Sequence, residues 1–186
     1  MFVLDSHCDT PSQILRLRDL RKDNDHAHVD FPKLRKGGVD GAFFALYVPA
    51  YYDDDSEKGF EYAQNLLLGV EKCVNDNNDQ AAFASSLSQG LKNQSAGLFS
   101  VFLGLENASP VGNSLDRLKV LYDKGIRYVT LCHSRDNQIC DSSASSVKKW
   151  GGLSPFGHEL VAEMNRLGMI IDVSHASDDT FYDVLE

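Results

Sequence analysis

No apolar run in the 186-residue chain approaches the roughly 20 residues that span a bilayer. Basic residues are in deficit. The formal net charge is -9, and no basic stripe could release phosphate counterions or hold an anionic membrane surface. Nucleic acid and membrane are therefore not expected partners. No basic segment precedes the short apolar start Met1-Phe2-Val3-Leu4, so no signal peptide is expected and a cytoplasmic location is the simplest reading. Cys8, Cys73, Cys132 and Cys140 form no Cys-x-x-Cys pair. That argues against a zinc ribbon or a thioredoxin-like motif and leaves free thiols as the expectation. There is no Gly-x-Ser-x-Gly elbow and no Walker loop. The glycine-rich stretch Gly37 to Gly41 precedes a strand, the wrong order for a phosphate cradle.

What is present is an alternation of short apolar runs with segments of helical period. Strands are expected at Phe2 to Leu4, Gly41 to Val48, Leu98 to Leu105, Tyr128 to Cys132 and Met169 to Val173. A helix starts at Thr10-Pro11, with Ile14, Leu15 and Leu17 on its apolar face. The charged stretch from Arg18 to Asp30 reads as a solvated loop, and Pro32 to Arg35 as one helical turn. Further helices are expected at Ser56 to Asn75, about Ala81 to Lys92, Ser114 to Lys124, Ser154 to Leu167, and from Ser177 onward. Strand-helix alternation repeated about five times predicts an α/β fold with a parallel sheet and right-handed crossovers, in one domain over 1–186. An open doubly wound sheet and part of an eight-stranded (β/α)8 barrel both fit. A complete barrel takes about 250 residues.

In parallel α/β proteins the chemistry gathers at the carboxyl ends of the strands. Three of the six histidines fall there: His7, His133 and His175. His7 and Asp9 are two apart, so on extended backbone they share a face and could reach one cation. Alone, that pair is a weak signal. Glu106 ends a nearly unbroken apolar strand, where a carboxylate needs a basic partner or a metal. Its two oxygens could bridge two ions about 3.5–4 Å apart. A lone histidine after a strand is more often structural, but His133 and His175 coincide with His7, Asp9 and Glu106. His26 and His28 read as solvent-exposed loop residues, and His158, early in a helix, as a surface or capping residue. Cys8 and Cys132 each adjoin a histidine and point to the opposite face, as packing residues do.

These residues sit in motifs that resemble one family. Asp5-Ser6-His7-Cys8-Asp9-Thr10-Pro11 resembles the opening His-x-Asp motif of the zinc-dependent membrane (renal) dipeptidases, in the metal-dependent hydrolase superfamily. His28 to Arg35 with Gly38 to Phe44 resembles their approach to the second strand. Gly104-Leu105-Glu106-Asn107 resembles their bridging-glutamate motif, and Thr130-Leu131-Cys132-His133-Ser134 their substrate-contacting histidine motif. Gly152 to Gly157, then Asn165 to Gly168 through Asp172 to Ser177, is the strongest match. The resemblance implies a (β/α)8 TIM barrel of which this chain holds about the first five βα units. It implies two zinc ions, with His7 and Asp9 on one, His175 on the other and Glu106 between them. His133 would polarise the substrate carbonyl. The implied substrate is a dipeptide, with a D-residue tolerated at its C-terminal position.

The family's remaining metal and substrate groups lie beyond the positions matched here. Weak metal binding and little activity are therefore expected of these residues alone, together with exposed edge strands near Phe2 and Met169 and possible homo-oligomers through them. Another metal-dependent amidohydrolase or lactonase on the same barrel, or a non-enzymatic half-barrel binding module, are the competing readings.

Overall fold

A computed structural model describes all residues, 1–186. The chain forms two compact units, Met1–Leu46 with Gln64–Gly104, and Tyr47–Ala63 with Leu105–Glu186. The longest helix and strand β4 run from one unit into the other.

In the first unit β1 (Leu4–Cys8) pairs in parallel with β2 (Gly41–Tyr47), and β2 lies between β1 and β4 (Phe99–Glu106). The short β3 (Ala81–Phe83) pairs in parallel with β4. All of β4, and all of β2 but Tyr47, is buried, as an unbroken apolar run covered on both faces should be. Phe43 and Phe102 lie 5.2 Å apart, and Phe99 packs on Phe31 and Phe44. Helix α1 spans Thr10–Leu15, α2 spans Phe31–Lys36 and α4 spans Leu87–Ser95. Helix α3 (Ser56–Asp76) buries Ala63, Leu67, Val70 and Val74, the stripe its sequence period marks.

In the second unit β5 (Ile126–Thr130) pairs in parallel with β6 (Ile170–Asp172). Helix α5 (Leu115–Asp123) buries Leu118 and Leu121, and α6 (Pro155–Leu167) buries Leu160, Val161 and Met164. Gly168 closes α6 at φ 71°, its N–H reaching Met164 and Asn165 carbonyls. Helix α7 (Asp178–Leu185) is capped by the Ser177 hydroxyl, which accepts from the Thr180 N–H.

Several expectations need correction. The first strand begins at Leu4 rather than Phe2, so Asp5 to Cys8 lie inside it. Its pairing with β2 slips between Asp5 and Cys8, an irregularity that residue periodicity does not reveal. Residues Ala81–Phe83 are strand, because β4 offers them a ladder, and the helix begins only at Leu87. Leu15 and Leu17 are exposed rather than core. The loop from Arg18 to Asp30 is not fully solvated: Asp30 is buried, caps α2 through the Lys33 N–H, and pairs with Lys33 Nζ at 2.5 Å and Arg18 at 3.5 Å. At the two end strands Leu4 and Ile170 are exposed, as expected of edges, but Met169 itself is buried.

The closest backbone approach in the second unit is at Gly157 in α6, where a Cβ would stand 2.2 Å from the Ile139 carbonyl oxygen. One of the two backbones must shift to admit it. Gly157→Ala should cost about 1–3 kcal/mol, read as a lower urea midpoint; an unchanged midpoint would show that α6 can slide outward.

Candidate metal and catalytic site

Glu106 is the last residue of β4 and only 5% exposed. Two imidazoles approach it. His133 Nε2 lies 3.5 Å from Glu106 Oε1, and His175 Nε2 lies 3.4 Å from the same oxygen. The two rings lie 4.3 Å apart, tilted at 52°, and the Tyr47 ring lies 4.8 Å from that of His133. The donor atoms of Glu106, His133 and His175 all lie within 4.8 Å of one another. His175 is the most exposed of the three and Glu106 the least. In the first unit His7 Nε2 lies 3.5 Å from Asp9 Oδ1. Asp9 has left the strand, at φ -82°, ψ 21°. The two side chains meet across a strand-to-helix turn, not along extended backbone. The three other histidines, His26, His28 and His158, are exposed.

These donors fit a borderline divalent metal. The set is imidazole nitrogen and carboxylate oxygen, which zinc accepts. The separations of 3.4 and 3.5 Å are long for a charge-assisted hydrogen bond, about 2.7–2.9 Å. They match the edge of a tetrahedron, about 3.4 Å, when each donor stands about 2.1 Å from a zinc. His133 Nε2 thus stands where a metal donor could, a role its sequence motif did not suggest.

The backbone around these side chains is unusual. Asn107 and His175 both have left-handed backbone, at φ 77° and 66°. Each is held. Asn107 is fully buried and all four bonds of its amide are made: it donates to the Val48 carbonyl and to Asp53, and accepts from the Ser109 N–H and from Asn137. The His175 carbonyl accepts from the Ser143 N–H at 2.8 Å and faces the Ser142 and Ser143 hydroxyls and the Cys132 thiol. Asp172, at the end of β6, accepts from Thr130 and from the Ser174 N–H just before His175.

The segment between β5 and α6 has little regular structure, so side chains satisfy its backbone. Asn137 donates to the Leu131 carbonyl and accepts from the Ile139 and Cys140 N–H groups. The buried Asp141 carboxylate accepts from the N–H groups of Lys149, Trp150, Gly151 and Gly152. Asn107, Asn137, Asp141 and Ser142 were not singled out by sequence reasoning. The signal was the length of 131–154, too long for a plain connection in a compact fold. All four cysteines are free, and burial pushes the Cys8 thiol up to about 11, which makes it a packing group.

The comparisons with known proteins bear on this geometry. A dipeptidase described as AC, a metallopeptidase of family M19, superposes over 99% of this chain with a TM-score of 0.86 at 25% identity. A Rhodobacter sphaeroides metallopeptidase, solved with a phosphinate mimic of the dipeptide L-Ala-D-Ala, superposes over 99% with a TM-score of 0.85 at 23% identity. The chain covers 59% and 61% of those two. Its fold is thus the parallel half-barrel of the metallopeptidase TIM barrels. The model of the family "Membrane dipeptidase (Peptidase family M19)" matches residues 1–186, and the chain belongs to that family. Among curated relatives, dipeptidase aclJ of Aspergillus oryzae is 36% identical over 89% of this chain, and dipeptidase tcpJ of Claviceps purpurea 32% identical over 86%. The chain spans 41% and 39% of their lengths. No helix is long and apolar enough to cross a membrane.

Asp53 gives a pH signature. Burial raises its carboxyl above the ordinary range, against the hydrogen bond from Asn107 that lowers it. The folded state therefore holds this proton more tightly than the unfolded chain. The contribution is complete below the unfolded value and is lost as pH rises through the folded one. Asp53→Asn keeps an acceptor for Asn107 and removes the charge. The variant should gain stability over wild type as pH rises above about 4, measured by urea midpoints; a gap that does not change with pH would remove burial as the cause.

Proposed function

We propose that this chain carries the metal-binding half of a zinc-dependent dipeptidase site. The observation that carries the reading is the convergence of His133 and His175 on one buried oxygen of Glu106, in a chain of the membrane dipeptidase family. In this reading His7, Asp9, Glu106 and His175 would be the metal ligands, and bound metal would supply a water of lowered pKa as the nucleophile for a peptide carbonyl.

The chain's own residues do the rest. Glu106 is buried at the end of β4, so its negative charge acts in a low dielectric and offsets the metals' charge. His133 presents Nε2 beside Glu106, and its ring contacts those of Tyr47 and His175. From there it donates a hydrogen bond to the carbonyl oxygen of the scissile bond as negative charge develops on it. His133 is thus a catalytic residue, and His7, Asp9, Glu106 and His175 are metal ligands. The substrate is a dipeptide with a free carboxylate beside the scissile bond, and a D-residue fits at that position. The relative solved with an L-Ala-D-Ala mimic supports that choice. A polypeptide of residues 1–186 alone should bind zinc weakly, because His175 and Glu106, even with His133, offer its ion only a minimal set.

The protein purified from its source should hydrolyse L-Ala-D-Ala, stop on chelation and recover with zinc. It should not cleave the same dipeptide as its amide. Glu106→Gln should lower both zinc content and rate, the rate by about 100-fold or more. His133→Ala should lower kcat by a similar factor while zinc content stays intact. Loss of zinc from His133→Ala would make His133 a ligand instead. Hydrolysis that survives chelation would overturn the metal reading altogether.

A further inference from the structure

We propose that Ser142 is a positioning residue that sets the spacing of His133 and His175. The inference rests on the metallo-dipeptidase reading and deepens it.

Ser142 is fully buried and belongs to neither histidine's strand. Its hydroxyl lies 2.6 Å from the His133 carbonyl oxygen and 3.3 Å from the His175 carbonyl oxygen. One side chain thus stands between the backbones of the two residues whose rings flank Glu106. A hydroxyl carries one proton. It goes to the nearer carbonyl, of His133, and in the other rotamer to that of His175. Either position keeps the two main chains together. The hydroxyl also accepts from the Ala144 N–H at 3.2 Å.

Ser142 is itself anchored. Its N–H donates to Asp136 Oδ1 at 2.7 Å, its carbonyl accepts from Lys148 Nζ at 2.7 Å, and it forms a β-bridge with Ala176, the residue after His175. These bonds fix where the hydroxyl stands before any ligand arrives. His175 needs such a hold, because its left-handed backbone at φ 66° is uphill for a non-glycine residue, by about 1–2 kcal/mol. A metal site tolerates donor displacements of about 0.2 Å. Loosening the His175 carbonyl frees its backbone to turn, and with it the Cα–Cβ bond that carries the ring. Nucleophilic chemistry is not the role of Ser142: its hydroxyl is buried and faces two carbonyls.

The neighbouring Ser143 supplies the control. Its hydroxyl also approaches the His175 carbonyl, at 3.1 Å, but its backbone N–H already donates there at 2.8 Å. Removing that side chain leaves the stronger bond in place and leaves His133 untouched.

The test is zinc affinity by chelator competition on the purified protein, read beside L-Ala-D-Ala hydrolysis and thermal midpoint. Ser142→Ala should weaken zinc binding on the order of 10-fold and lower kcat with KM nearly unchanged. Ser143→Ala should bind zinc like wild type, and Ser142→Thr, which keeps the hydroxyl, should recover most of the affinity. Should the alanine variant fail to fold, Ser142→Cys, which keeps the size and a weak donor, should show an intermediate loss. Wild-type zinc affinity in a folded Ser142→Ala or Ser142→Cys protein overturns this inference and leaves the dipeptidase reading standing. A wild-type protein that takes up no zinc overturns both.

Discussion

The carboxylate of Glu106 sits at the end of a strand with no exposed residue, and that burial constrains everything around it. An ionised carboxylate taken out of water costs several kcal/mol unless positive charge or donors replace the lost hydration. The strand cannot supply them, because its remaining side chains are apolar or small. They come from the loops after β5 and β6, which bring His133 and His175 to within 3.5 Å. A neutral imidazole donates only one proton, and 3.4 to 3.5 Å is long for a strong bond. Burial and spacing are thus the two properties on which the proposed metal-ligand roles of Glu106 and His175 rest.

Holding two loops at that spacing without regular structure requires polar groups below the surface. Asn107, Asn137 and Asp141 fill that need. Each is buried, and each has its hydrogen-bonding capacity largely used by main-chain groups. Buried networks of this kind are stable only when nearly complete, since one missing partner leaves a desolvated dipole. Completeness also makes them stiff. The backbone from Leu131 to Ser154 is therefore less a connection than a frame. The Trp150 indole adds to it by donating to the Asn137 carbonyl at 2.9 Å.

The sequence made the order of elements and the placement of chemistry readable for a simple reason. Buried parallel strands are continuous apolar runs, and a histidine or carboxylate that interrupts one at its end stands out. Glu106, His133 and His175 were visible on that ground, and the stripes of α3, α5 and α6 on theirs. What stayed hidden depended on pairing rather than pattern. Ala81 to Phe83 became strand because β4 lies beside it. The slip in β1 and the turn at Asp9 decided how His7 and Asp9 approach each other. Asn137, Asp141 and Ser142 resemble surface residues in composition, and only their partners show otherwise. Asp30 was masked in the same way by a loop rich in charge.

The two strained residues show how fold and chemistry compete at this end of the sheet. Glycine would adopt the backbone of Asn107 or His175 at no steric cost. Neither position can use it. At Asn107 the side chain closes four hydrogen bonds beneath Glu106, a gain well above the roughly 1 kcal/mol of left-handed strain. At His175 the side chain closes no structural bond comparable to these and is partly exposed. Stability alone therefore accounts for the residue after Glu106 but not for the residue after Ser174. A strained, exposed residue of this kind persists where the surroundings over-determine it, and here the surroundings are the hydrogen bonds that grip the His175 carbonyl. The fold holds an imidazole in an unfavourable conformation with its Nε2 3.4 Å from a buried carboxylate, and the proposed metal-ligand role of His175 accounts for a strain that stability does not.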